Sequence, residues 1–225
     1  MNIAMVCRLI WKDWYLNRAG ILASLIGGVA TLALVAAMHV SQIALLLGII
    51  VLVTILIGMG AMVMISAASE RRQLTLPFVM SLPISYWEYT ISKIVGGMLI
   101  FLALWIPLVA AVVATILLTS HMPHGVIPFV LIMAVEILMS TCLITAVAVT
   151  TESHGWTVAV AQVGAISLNG IGWSIVRLPE IGGWMRSATV RWSGTATALL
   201  MAELALIVLM LGVTFLVQAR KKDFA

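Results

Sequence analysis

Charge is scarce in this chain. Lys, Arg, Asp and Glu make up 9% of its 225 residues, where a soluble domain carries about a quarter. Such a surface cannot face water over its whole area, which excludes an ordinary soluble globule. Cysteine is nearly absent: Cys7 and Cys142 are the only two, and they fall at different expected depths, which excludes a disulfide framework. No G-x-x-x-x-G-K-[ST] sequence occurs, so the chain has no P-loop for ATP. Neither H-E-x-x-H nor a G-x-S-x-G elbow is present. His39, His121, His124 and His154 lie near the ends of apolar runs without metal-ligand spacing. An enzyme working inside the membrane is therefore a poor fit, and no metal or cofactor site is expected.

What the chain has is length of apolar sequence. It is 63% hydrophobic with a mean hydropathy of +1.20. About 20 apolar residues span a bilayer core as a helix, and six runs qualify: about 19–40, 43–66, 94–118, 126–150, 156–176 and 197–218. Lipid leaves open backbone groups unsatisfied and the runs are too long for barrel strands, so helices are required. The fold expected is an all-α membrane protein, one transmembrane domain over 1–225. The first run is too long for a signal peptide and reads as an uncleaved anchor.

The net charge of +4 and pI near 9.4 do not point to nucleic acid, because the basic residues sit at run ends, where they orient spans. Arg8, Lys12, Arg18, Arg71, Arg72, Lys93, Arg220, Lys221 and Lys222 fall on one side; Arg177, Arg186 and Arg191 fall on the other. The richer side should be the cytoplasm, with both termini inside a plasma or inner membrane. Trp11, Trp14, Trp87 and Trp156 mark inner boundaries, and Trp173, Trp184 and Trp192 outer ones, while Trp105 falls within a span.

Two flanking segments are amphipathic. Over 3–18, Ile3, Val6, Cys7, Ile10, Trp11 and Trp14 share an arc opposite Arg8, Lys12 and Tyr15, the pattern of a helix lying on an anionic leaflet or of a simple basic anchor. Leu178–Trp192 reads either as an external element dipping back into the outer leaflet or as an ordinary loop.

The one long charged, proline-punctuated stretch is Glu70–Lys93. Thr75 caps a short helix with Pro77 in its first turn, and Pro83 stops it. Ser85 and Glu88 form a capping box that starts the next helix. Leu76, Phe78, Val79 and Leu82 give the short helix an apolar face that needs a partner; a solvated connector that only sets topology is the plainer alternative. The succession Glu70-Arg71, Thr75-Leu76, Ser81-Leu82-Pro83-Ile84-Ser85, Glu88 and Lys93 resembles the permease subunits of ABC-2 type transporters. The six-span architecture resembles them too, with its N-terminal interfacial helix and an external re-entrant element before the last span. One departure is Leu74, where family members commonly carry Gly before the Thr.

The resemblance implies a coupling helix between spans 2 and 3 that docks on a cytosolic ABC ATPase subunit, present in two copies. Glu70, Arg71, Arg72, Leu76, Phe78, Val79, Ser81, Leu82 and Pro83 would make that contact. It implies a second permease chain, identical or similar, and ATP and Mg bound by the partner, with none in this chain. Export follows by resemblance; the apolar interior fits a hydrophobic or amphiphilic cargo such as a peptide, lipid or drug-like molecule. Glu136, Asn169 and Glu203 are candidates for a substrate path or gate, because a carboxylate in hydrocarbon must face protein or water. The plainer alternative is a structural hydrogen-bond partner or a protonated acid. Gln162 and Asn169 share a face of span 5 that fits a helix or subunit contact. Two other functions remain open: a membrane sensor or assembly factor that transports nothing, and a proton-coupled transporter using Glu136.

Overall fold

The computed structural model describes residues 3–37, 51–58, 86–119, 122–151 and 153–220. Among them every regular element is helical. We label the helices α1 (Ile3–Ala37), α2 (51–58), α3 (Tyr86–Leu118), α4 (Ile127–Thr151), α5 (His154–Arg177), α6 (Pro179–Gly182) and α7 (Gly194–Arg220). Five of these, α1, α3, α4, α5 and α7, are long and apolar enough to cross a membrane. The ends of α4, α5 and α7 lie within a few residues of the expected spans. The run expected at 43–66 is described only over 51–58.

One expectation changes. The interfacial segment and span 1 are one continuous helix of 35 residues, about 52 Å long at the usual rise. No proline and a single glycine, Gly20, lie between residues 3 and 26. Asn17, a residue that favours helix ends, donates its Nδ2 to Asp13 O 2.8 Å away on the preceding turn and leaves the helix unbroken. The amphipathic arc is divided as well. Val6 is buried and Ile10 and Trp14 are half-buried, whereas Ile3, Cys7 and Trp11 point outward. Leu178–Trp192, expected either to dip back into the outer leaflet or to be an ordinary loop, holds little regular structure. It is the single turn α6 followed by tight turns that fold over the end of α4, with Ile181 buried among Ile132, Ile175 and Ala196.

Contacts give the helices their directions. Gly96 of α3 lies against Ile10 of α1, and Gly28 lies against Leu108, so α1 and α3 run parallel. At Gly28 the two helices approach so closely that an added Cβ would run into the Leu108 side chain. The α4 and α7 helices are also parallel: Ile132 packs with Ala196 and Leu200, and Gln218 Nε2 donates to Val149 O at 2.7 Å. The main core joins Ile21, Leu56, Ile100, Phe101, Leu104, Leu108, Ile137, Ile144 and Leu168, drawn from α1 to α5. Helix α4 is the most enclosed, touching α3, α5 and α7.

Hydroxyls inside the apolar helices are satisfied locally. Thr31, Thr115, Thr141, Thr145, Thr157 and Thr214 each donate to the carbonyl four residues back, at 2.7–2.9 Å. This back-bonding removes the cost of an unpaired hydroxyl in a medium without water.

Candidate functional site

Glu136 sits in the middle of the most enclosed helix, and Glu203 comes from α7. The register set by Ile132 against Ala196 and Leu200 at one end and Val149 against Gln218 at the other brings them to the same level. Val135 and Ile207, their near neighbours in sequence, pack together with Cys142. Glu136 is 2% exposed and Glu203 7%. Both side chains thus lie at one level of the α4–α7 contact. Glu203 Oε2 is sealed from solvent with no hydrogen-bond partner.

Helix α3 closes the same region. Trp105 donates its indole N–H to Ala134 O at 2.9 Å, half a turn before Glu136. This is how the one tryptophan expected inside a span meets its polar requirement. Cys142 Sγ lies 3.9 Å from Met98 Sδ. Both cysteines are free thiols, Cys7 exposed and Cys142 buried.

Asn169 belongs to a different place. It borders a cavity of about 540 Å³ between α2, α4 and α5, with Thr54, Met133 and Trp173 also on its wall. Its Nδ2 donates to Ala165 O at 3.0 Å, and the residue is exposed. An adjoining, smaller cavity of about 180 Å³ between α2, α3 and α4 is apolar. The structure thus brings together two of the three candidate path residues, Glu136 and Glu203, and separates Asn169 from them.

The proposed ATPase-contact residues Glu70, Arg71, Arg72, Leu76, Phe78, Val79, Ser81, Leu82 and Pro83 lie outside the described residues, as does Ser85 of the capping box. The far end of that loop is visible. Lys93 Nζ lies 2.9 Å from Asp13 Oδ2 and 3.1 Å from Oδ1, the side chains being 8% and 14% exposed. Lys93 was expected as a topology charge and as the end of the loop pattern, and Asp13 was not singled out. The missed signal was that Asp13 is the sole acid in the first 69 residues.

Among the described residues, no group of three or more His, Cys, Asp or Glu is placed to hold a metal ion. The fold and this buried acid pair define a helical protein of the membrane-spanning class. No protein-family model, curated protein or solved structure matches the chain.

Proposed function

We propose that this chain is the transmembrane permease subunit of an ATP-driven exporter, coupled through its 70–93 loop to separate cytosolic ATPase subunits. The cargo is hydrophobic or amphiphilic. The sequence of the loop supports this reading, and the observation that carries it furthest is the Asp13–Lys93 pair. It roots the returning end of the loop in two long helices at once, α1 and α3. A push delivered to the loop would then move a packed pair of spans rather than a lone strand of chain.

Helix directions support the six-span form. Because α1 and α3 are parallel, the chain has to come back between Ala37 and Tyr86, and the helical segment 51–58 lies on that path. Six crossings put both termini on one side, which the distribution of Lys and Arg makes the cytoplasm. The cavity beside Asn169, walled largely by apolar groups, fits the proposed cargo class. The family's separate interfacial helix is not part of this support, since α1 is continuous.

The decisive experiment is co-purification of the ATPase with Leu82→Asp. The variant chain is expected to reach the membrane and lose the ATPase. Retained binding would overturn the docking assignment, and transport by the isolated chain without ATP would overturn the whole reading.

A further inference from the structure

Glu136 and Glu203 lie at one level of the α4–α7 contact, and among the described residues no counter-charge shares that level. Among the described residues, each element packed there has been stripped of basic groups at that depth. Helix α4 offers Cys142 as its nearest titratable side chain. Helix α3 brings Met98 and Trp105, and its basic Lys93 and acidic Glu88 lie at its far end. Helix α5 has His154 and Arg177 at its two ends, and α7 has Arg220 at its last residue. Two carboxylates at one level of a buried helix contact are unfavourable while both are ionised and unanswered. Glu203 Oε2, on a side chain 93% enclosed by its 7% exposure, is an acceptor with nothing to accept from. Yet α4 and α7 stay packed on both sides of it, from Ile132 with Ala196 to Val149 with Gln218.

We propose that Glu136 and Glu203 form one binding site for a small monovalent cation, a proton or an alkali ion, held between α4 and α7. One positive charge relieves the repulsion and supplies what Glu203 Oε2 lacks. Bound, the cation joins α4 to α7; removed, it leaves two like charges that push them apart. The site does not depend on whether the chain transports.

The test uses the full chain in lipid nanodiscs. Infrared spectra across about pH 5 to 9 read the carbonyl stretch of a protonated carboxyl. Thermal midpoints are measured in parallel in sodium, potassium and choline chloride at equal ionic strength. A protonated-carboxyl band that Glu203→Gln or Glu136→Gln alters identifies the occupant as a proton. A midpoint raised by sodium or potassium over choline, and no longer raised in either variant, identifies it as an alkali ion. Two ionised carboxylates throughout the range, with no response to either ion, would overturn the site. So would a band or ion response that both variants keep. Should Glu136→Gln fail to fold, Glu203→Gln reads the same site from the other helix.

Discussion

Lys93 Nζ reaches both carboxylate oxygens of Asp13, at 2.9 and 3.1 Å, and so ties the beginning of α3 to the N-terminal third of α1. A two-pronged pair with so little exposure is harder to replace than a surface ion pair, because breaking it leaves a charge in a poorly hydrated place. Asp13→Ala is expected to lower stability by about 2–3 kcal/mol, somewhat below the range for fully buried pairs. The exchanged double variant, Asp13→Lys with Lys93→Asp, should recover more than half of the loss of the worse single change. Denaturant titration in mixed micelles measures it, and a double variant no better than that single would remove the pair from the account.

At Gly28, helix α1 packs directly against the Leu108 side chain of α3. Gly28→Val drives new methyl groups into the Leu108 side chain, which must shift into the neighbouring apolar cavity to admit them. The expected loss is about 1–3 kcal/mol, the range for overfilling a packed interface. Gly212→Ala is the matched control, since nothing lies within 4 Å of its added Cβ. It should leave stability unchanged or raise it by up to about 1 kcal/mol, the preference of a helix interior for Ala over Gly. Equal losses at the two positions would show that Gly28 is not a packing contact.

Trp105→Phe keeps most of the ring volume and deletes the N–H that Ala134 O accepts. The expected cost is about 0.5–1.5 kcal/mol, a single net hydrogen bond. Ultraviolet resonance Raman of the indole N–H gives a direct reading: wild type should show one strongly hydrogen-bonded tryptophan signal that the variant lacks. If the signal survives, the bond belongs to another tryptophan.

The turns after α6 rest on Gly125. Its N–H donates to Ser187 O at 3.0 Å, and a Cβ there would collide with the backbone oxygen of Trp184 and with Ser187. A backbone oxygen cannot swing aside as a leucine tip can, so Gly125→Ala should displace the turn. Trypsin cleavage at the exposed Arg186 and Arg191 is expected to accelerate several-fold in the variant. Unchanged cleavage would mean that the turn keeps its place without this contact.

The helices α4, α5 and α7 were legible in the sequence to within a few residues because each is one apolar run closed by polar or glycine punctuation. The separate interfacial helix was misread for a physical reason. An amphipathic pattern tells which residues share a face, not whether that face meets lipid headgroups or another helix. Here Val6, Ile10 and Trp14 turn toward the rest of the protein, and Gly96 of α3 abuts Ile10. Glu136 and Glu203 were each recognisable as acids out of place. Their meeting was not, because they are far apart in the chain and belong to helices that are not consecutive.

By itself the sequence determined the solvent: so little charge over such long apolar runs leaves backbone groups no option but helices in lipid. Partnership between helices was decided by the tertiary structure alone. Hydropathy is blind to direction and register, and only packing placed Lys93 on Asp13 and brought Glu136 and Glu203 to one level. A one-turn slip of α7 along α4 would leave every span as apolar as before and would part the two acids.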